Sequence, residues 1–203
     1  MPYKNNLRVA QIVQHLSPGG IEVMVLDLLK HQPFETVVIS LEGTKEQAIA
    51  RWPLLSQVSD HLIFLNKKPG FKLLVIYQLY RIFVNLKING VHSHHIGPLF
   101  YGGLSAVLAS IKSRVHTEHD AWHLTNSKRR TLQKILLAIV KPILVADAHA
   151  VASQMQRHLN IKDIELIHNG IDIDVYCPGE RNVARARLNL PTGVVLIGTA
   201  GRL

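Results

Sequence analysis

Short apolar runs rich in β-branched residues alternate with longer helical stretches along most of this chain. Seven runs have the length of strands and little strict polar alternation, which is typical of strands covered on both faces. They are Arg8–Val13, Thr36–Leu41, His61–Leu65, Gly90–His94, Arg114–Glu118, Ile143–Ala146 and Glu165–His168. The helices predicted between them are Gly20–His31, Lys45–Val58, Gly70–Leu86, Pro98–Ile111, Ser127–Val140 and Ala148–Leu159. This alternation predicts an α/β domain with a doubly wound, Rossmann-like parallel sheet, in which ligands bind beyond the carboxyl ends of the strands.

The pattern changes after Gly170. Pro178 and Gly179 break the next stretch, which is typical of a connector. A short helix is predicted over Asn182–Asn189 and a new strand over Gly193–Thr199. We therefore expect a first domain over residues 1–170, an interdomain connector over 171–192 and the start of a second domain over 193–203.

Composition and charge narrow the classes of partner. The formal charge of +9 favours nucleic acid, anionic lipid or phosphorylated substrates. The sequence has neither zinc-finger spacing nor an aromatic-basic RNA motif, so no nucleic-acid partner is expected. The one cysteine, Cys177, excludes an intramolecular disulfide, and Met1–Asn6 lacks the apolar core of a signal peptide. Charges and a proline interrupt the longest apolar stretches, so a cytoplasmic protein is expected.

The first strand leads directly into a glycine-containing turn. His15 is followed by Leu-Ser-Pro and then Gly19-Gly20, where a helix is predicted to begin. Glycines at this position allow close backbone approach, and the free N–H groups of a helix N-terminus attract anions. The motif therefore indicates a phosphate contact, with an ordinary tight turn as the alternative.

Histidines are concentrated at the ends of two predicted strands. His92 and His94 share a face of one strand, and His95 lies just beyond it. His116 and Glu118 share a face of the next strand, and His119 and Asp120 follow it. Such a set could bind zinc, could hydrogen-bond sugar hydroxyls or phosphate, or could be ordinary packed and surface residues. The pattern alone leaves all three open.

Two further stretches carry information about surfaces. Lys128, Arg129 and Arg130 stand together at the start of a predicted helix. The segment Gly70–Leu86 is strongly apolar with one polar stripe. A basic patch beside an amphipathic face is typical of binding to anionic lipid, whereas a core helix with one solvated stripe is the simpler interpretation of Gly70–Leu86.

Five segments, taken in order, resemble glycosyltransferase family 4, a group of retaining enzymes with the two-domain GT-B fold. The segments are Ile12–Leu29 (first strand, Gly-Gly-x-Glu loop and helix), Val91–Gly102, Thr117–Asp120 (TEHD), Ile164–Tyr176 (with the Asn-Gly-Ile-Asp connector) and Ile197–Leu203. Each is short, but their order and separation suit the family. The resemblance implies an enzyme that transfers a sugar from a nucleoside-diphosphate sugar to a hydroxyl of a glycan or lipid-linked acceptor, without a metal or other cofactor.

The resemblance also implies roles for single residues. Gly19 and Gly20 would lie against the donor phosphates and sugar, and Arg202 would neutralise the diphosphate with its planar guanidinium. His119 would act as the catalytic histidine that hydrogen-bonds the transferred sugar. We place the acceptor, by position, near four residues: His15, His95, Lys128 and Arg129. Many relatives act on membrane-bound acceptors, so peripheral contact with the inner face of the cytoplasmic membrane is expected.

The chain departs from the family pattern in two ways. It ends at Leu203, before the lysine and the glutamate pair that handle the donor, so this chain alone is expected to be inactive. Asp147 stands where the family often has serine, and we expect it to cap the following helix. Alternatives are a non-catalytic anion-binding module, a metal-dependent hydrolase that uses the strand-end histidines, and a GT-B enzyme such as a sugar-nucleotide epimerase. The Asn-Gly-Ile-Asp connector favours family 4 over the last of these.

Overall fold

The computed structural model of this protein describes residues 7–199, and its centre is a parallel sheet. Its strands are β1 (Arg8–Val13), β2 (Glu35–Ser40), β3 (Leu62–Phe64), β4 (Gly90–His94), β5 (Ser113–Glu118), β6 (Ile143–Ala146) and β7 (Glu165–Leu166). They pair side by side in the order β3-β2-β1-β4-β5-β6-β7, and every pair is parallel. The predicted doubly wound α/β fold is therefore confirmed.

Helices connect the strands. They are α1 (Gly20–His31), α2 (Lys45–Arg51), α3 (Leu74–Asn85), α4 (Ile96–Pro98), α5 (Leu104–Leu108), α6 (Ser127–Val140), α7 (His149–Leu159) and α8 (Arg181–Arg187). A π turn over Leu99–Gly103 joins α4 to α5, and 3₁₀ turns occupy Pro53–His61 and Trp122–Thr125. None of the described helices is long and apolar enough to cross a membrane.

The connections divide the helices between the two faces of the sheet. The chain moves outward from β1 to β3 and then returns through β4 to β7, and right-handed crossovers place the helices of these two halves on opposite faces. Helices α1 and α2 pack on Val13, Val38 and Leu62, which define the α1 face. Helices α3 and α5 pack on Ala10 and Ile12, and α6 and α7 pack on Leu144 and Ala146; these residues define the α3 face.

Two glycines in the π turn allow close packing on the α3 face. A Cβ on Gly102 would lie 3.0 Å from Ile12 Cγ1, and one on Gly103 would lie 2.9 Å from Val140 Cγ2. Side chains at these positions would force β1 and α6 away from the turn, since interiors are close-packed. These contacts therefore keep the π turn close to both β1 and α6.

The predicted helix Lys45–Val58 is wrong in its second half. Helix α2 ends at Arg51, and a 3₁₀ turn begins at Pro53. Proline has no N–H group for the α-helical ladder and disfavours helical backbone at the residue before it, here Trp52. Helix α3 likewise begins at Leu74, four residues after the predicted start.

The chain divides into two compact units between Gly170 and Ile171. The first unit contains the whole sheet; the described part of the second contains α8. The strand predicted over Gly193–Thr199 is wrong as far as residues 193–199 are described, because they form no strand and leave Ile197 almost fully exposed. A strand needs a neighbour to accept and donate its ladder hydrogen bonds, and residues 171–199 contain no other strand. The roles of 171–192 as connector and of 193–203 as a domain start remain predictions.

Candidate functional site

Polar side chains line the carboxyl edge of the sheet, where β1, β4, β5 and β6 end side by side. In the register of β4 and β5, Ser93 pairs with His116 and His94 with Thr117. Because partners in a parallel register share a face, and alternate residues of a strand point to opposite faces, the histidines separate into two sets. His92, His94 and His119 belong to the α1 face, and His95 and His116 to the α3 face. The sequence placed all of them at one edge and gave His92 and His94 a common face, but it did not show how the faces of the two strands correspond.

On the α1 face, hydrogen bonds link five side chains, one from within β1 and four from the ends of β4, β5, β6 and β7. His94 Nε2 lies 3.0 Å from Gln11 Oε1, and His94 Nδ1 lies 3.1 Å from His119 Nε2. His119 Nδ1 donates to Asp147 Oδ2 at 3.0 Å. Asn169 Nδ2 donates to the same carboxylate oxygen at 3.1 Å. Both ring nitrogens of His119 are therefore engaged within the protein.

Burial favours the neutral form of the three histidines on the α1 face. Burial, reinforced by neighbouring imidazoles, lowers the pKa of His92 to about 3 and that of His94 well below its ordinary value. Burial also lowers the pKa of His119, against the opposing effect of the hydrogen bond to Asp147. This chain of hydrogen bonds accommodates a neutral His94 and a neutral His119 if the side-chain amide of Gln11 is flipped. Its Nε2, which otherwise has no partner, then donates to His94 Nε2. His94 Nδ1 then donates to His119 Nε2.

Asp147 is not the helix cap that the sequence predicted. The N-cap residue of α7 is Ala148, with no side-chain capping bond, while the Asp147 carboxylate orients His119. A carboxylate that accepts from one ring nitrogen fixes the tautomer and orientation of an imidazole. The feature of the sequence that points to this role is the position of Asp147 directly after β6.

On the α3 face, Glu118 is a fully buried carboxylate surrounded by donors. Its Oε1 accepts from His116 Nε2 at 3.0 Å and from Gln133 Nε2 at 2.5 Å, and His123 Nε2 lies 3.6 Å away. Burial alone would raise the pKa of Glu118, but the hydrogen bond from His116 and the interaction with His95 lower it below its usual value. This network joins β5 to α6 directly beneath the edge.

His95 is the histidine of this edge that combines partial exposure with an unusual backbone. It follows β4 with φ 69° and ψ 166°, a region that is essentially restricted to glycine. Its Nδ1 lies 3.8 Å from Glu118 Oε2, an ion-pair distance rather than a hydrogen bond, and this carboxylate raises the pKa of His95 against the effect of burial. Its ring centroid lies 5.7 Å from that of His119. Glu118 thus favours the protonated form of an imidazole that is held beside the neutral His119.

The glycine turn lies at the end of β1, next to the histidines of β4. Gly19 is the N-cap residue of α1, and no side chain caps this helix. A Cβ on Gly20 would meet nothing within 4 Å, so the first turn of α1 is open to a ligand. His15 Nε2 lies 3.6 Å from Glu22 Oε1, which places His15 at the same turn.

The remaining predicted site residues lie elsewhere. Lys128 and Arg129 are exposed in the first turn of α6, and both of their backbone N–H groups donate to Asn126 Oδ1. Arg202 lies outside the described residues. As for metals, no three His, Cys, Asp or Glu side chains of the described chain are arranged to hold an ion.

Comparison with known proteins supports one family. The family model described as Glycosyltransferase Family 4 matches residues 18–175. A D-inositol 3-phosphate glycosyltransferase from Nocardioides sp. is 36% identical over an alignment that covers 98% of this chain and 45% of the relative. The chain therefore spans about half the length of this relative.

Solved structures agree with the fold. A glycosyltransferase from Rickettsia africae superposes with a TM-score of 0.70 at 18% identity, covering 94% of this chain and 52% of that one. A UDP-GlcNAc 2-epimerase from Neisseria meningitidis, bound to UDP-GlcNAc, gives 0.55 at 17% identity, covering 80% and 47%. Fold similarity alone thus includes enzymes of both reaction types.

Proposed function

Because this chain belongs to glycosyltransferase family 4, we propose that the enzyme of which it forms the acceptor side transfers a sugar from a nucleoside-diphosphate sugar to an acceptor hydroxyl, with retention of the anomeric configuration. The observation that carries this proposal is the set of groups at the ends of the adjacent strands β1, β4 and β5. They are the open helix N-terminus at Gly20, His95 with its pKa raised by Glu118, and an oriented His119, which lie there side by side. Together they suit an anionic donor and a hydroxyl-rich sugar.

His119 would position the transferred sugar, and Asp147 would orient His119. Since both ring nitrogens of His119 are engaged, sugar binding requires an exchange at one of them. We assign the exchange to Nε2, which would leave His94 for a sugar hydroxyl, while the Asp147 carboxylate holds Nδ1 throughout. This assignment makes Asp147 and His94 positioning residues for one catalytic histidine.

The donor diphosphate would lie against the backbone of Gly19 and Gly20, where free N–H groups and the helix dipole favour negative charge. Arg202 would neutralise the same diphosphate from the second domain. His15 and His95 would contact the acceptor, with Lys128 and Arg129 nearby. Electrostatic stabilisation of the leaving diphosphate by such fixed groups needs no metal or other cofactor.

The acceptor class follows from the charge and from the family. A basic chain with exposed Lys128 and Arg129 suits a phosphorylated or lipid-linked glycan acceptor. We therefore propose a role in cell-surface polysaccharide or glycolipid synthesis, with the protein in the cytoplasm at the inner face of the membrane. The single cysteine supports this location, because it excludes an intramolecular disulfide.

Substitution of His119 in the whole enzyme tests this proposal. Release of nucleoside diphosphate from a panel of sugar nucleotides would be measured with and without glycan acceptors. His119→Ala should retain the fold and lower kcat about 100-fold, a usual cost of losing one oriented hydrogen-bonding group. His31→Ala, a change at an exposed histidine in the last turn of α1, is the matched control.

Two results would contradict the proposal. Equal turnover of His119→Ala and His31→Ala would show that His119 has no part in the chemistry. Conversion of a sugar nucleotide to its epimer without any acceptor would assign the edge to an epimerase instead.

A further inference from the structure

Glu118 is a buried ionisable group to which the sugar-transfer proposal gives no role. Its side chain is 0% exposed, although moving a carboxylate out of water is costly. Its Oε1 accepts hydrogen bonds from His116 Nε2 and Gln133 Nε2, and these two donors fix the orientation of the carboxylate. Its Oε2 has no hydrogen-bond partner within the described part of the chain. Buried polar atoms normally have partners, so this oxygen requires an explanation.

The unpaired oxygen lies close to the ring of His95. His95 Nδ1 is 3.8 Å from Glu118 Oε2, which is about 1 Å longer than a charge-assisted hydrogen bond. The His95 side chain is 30% exposed, so a ligand at the sheet edge can reach it. Its backbone, at φ 69° and ψ 166°, lies in a region that costs about 1–3 kcal/mol for a residue with a side chain. A small movement of this imidazole would give Oε2 a partner and offset part of the strain.

We propose that Glu118 is the positioning residue of His95: its Oε2 accepts the Nδ1–H of His95 when an acceptor binds, and the ring then presents the lone pair of Nε2 to the acceptor hydroxyl. The identity of this ligand rests on the sugar-transfer proposal. A neutral imidazole that carries its proton on Nδ1 is a hydrogen-bond acceptor at Nε2. The attacking hydroxyl would donate to that nitrogen, which orients the hydroxyl oxygen and increases its electron density.

The sheet edge then carries two histidine–carboxylate pairs, one on each face. The pair of His119 and Asp147 is complete, at 3.0 Å, whereas the pair of His95 and Glu118 is open by about 1 Å. The ring centroids of the two histidines lie 5.7 Å apart. One pair is therefore placed to hold the transferred sugar while the other holds the hydroxyl that attacks it.

The charges around His95 favour a hydroxyl as its ligand. Glu118 is the largest influence that raises the pKa of His95, against the effect of burial, and Asp120 and Glu22 act in the same direction. Because these neighbours are carboxylates, a hydroxyl of the acceptor suits this position better than a phosphate. The titratable groups that face His95 are Glu118, His119 and Asp120 at the end of β5, Glu22 of α1, and His94 of its own strand.

Histidine NMR of the 203-residue chain tests the positioning role without any substrate. Protonated and unprotonated ring nitrogens have distinct ¹⁵N shifts, so spectra from about pH 5 to pH 8.5 give both the tautomer and the pKa of His95. The signals of His95 are those that disappear in His95→Gln.

Glu118→Gln is the informative variant. His116 and Gln133 both donate to the position of Oε1, so the new amide oxygen should lie there and the new N–H group should face His95. Glu22→Gln is the matched control, because it removes a nearby charge that raises the pKa of His95 through space alone.

In the unchanged protein, neutral His95 should carry its proton on Nδ1. In Glu118→Gln the proton should move to Nε2, and the pKa of His95 should fall because the strongest influence that raises it has been removed. Glu22→Gln should keep the proton on Nδ1. In the whole enzyme, Glu118→Gln should lower kcat/KM for the acceptor roughly 10-fold, the equivalent of one net hydrogen bond, and should leave KM for the sugar nucleotide unchanged.

Three results would overturn the proposal. The first is a neutral His95 with its proton on Nε2 in the unchanged protein, a result that stands even if Glu118→Gln does not fold. The second is the same tautomer and pKa of His95 in Glu118→Gln as in the unchanged protein. The third is an unchanged kcat/KM for the acceptor in Glu118→Gln, which would remove the acceptor hydroxyl from His95. Absence of sugar transfer by the unchanged whole enzyme would refute the proposed function instead, and the NMR measurements would still decide whether Glu118 positions His95.

Discussion

Replacement of His92 by glutamine should make the protein markedly less sensitive to mild acid. His92 lies within β4, bonded through Nε2 to Thr117 Oγ1 at 2.7 Å, and burial lowers its pKa from 6.5 to about 3. In the folded protein it stays neutral, whereas in the unfolded chain it takes up a proton below pH 6.5. Its contribution to stability is thus fully present above pH 6.5 and is lost as the pH falls toward 3.

The size of this loss follows from the shift. At about pH 4.5, two pH units below the unfolded pKa, the unfolded state gains about 1.4 kcal/mol per unit, so His92 alone lowers the free energy of unfolding by about 3 kcal/mol relative to pH 7.5. His94 should add to the slope of the unchanged protein, because its pKa is lowered in the same direction. His92→Gln keeps an amide that can bond Thr117 and removes only the titration.

Urea unfolding followed by circular dichroism at about pH 7.5, 6.0 and 4.5 would measure this difference. The unchanged protein should lose about 3 kcal/mol more than His92→Gln between the two extremes. His31→Gln, at an exposed histidine, should lose as much as the unchanged protein. A difference below about 1 kcal/mol, or equal flattening by His31→Gln, would refute the assignment of acid sensitivity to a buried neutral His92.

Further predictions concern activity, packing and the end of the chain. The 203-residue chain alone should release no nucleoside diphosphate in a transferase assay, because it spans about half of its relatives; turnover like that of a full-length relative would contradict this. Gly103→Ala should destabilise the protein by about 1–3 kcal/mol in thermal unfolding, since the new Cβ would lie 2.9 Å from Val140 Cγ2, whereas Gly20→Ala enters open space and should not. Equal melting temperatures for the two alanine variants would show that the π turn can relax. Deletion of residues 193–203 should improve solubility at an unchanged melting temperature, because Val195 and Ile197 are nearly fully exposed. A large fall in melting temperature would instead show that this segment contributes to the stability of the first unit.

Local sequence predicted those elements whose limits are set locally. Strands β1, β4 and β6 and helices α1 and α6 begin and end at the predicted residues. Helix α1 begins at the Gly19-Gly20 turn, and α6 begins at the Asn126 cap and ends just before Pro142, so these signals act within a few residues of the element. Apolar residues continue at helical spacing past Pro53, but the backbone cannot remain α-helical there, so α2 is shorter than predicted. The strand expected over 193–199 shows the complementary limit, because pairing depends on a neighbour that no local pattern supplies.

The site was predictable as an edge but not as a network. Parallel topology brings His95 and His119 together at the ends of β4 and β5, and that much follows from the order of the elements. The partnership of His119 with Asp147 depends on β5 and β6 being neighbours and in register, which is a non-local fact. A local reading of Asp147 before a helix therefore favoured a cap, and the tertiary contact prevailed.

The backbone at His95 has a consequence for how this protein tolerates change. A residue with a side chain held at φ 69° and ψ 166° costs about 1–3 kcal/mol, which glycine would not incur. Selection for thermal stability alone would therefore replace this histidine. A thermostabilised descendant of this chain would carry glycine here and would have given up the imidazole next to His119. Position 95 is thus a point of trade-off between thermal stability and the acceptor contact that we propose for His95.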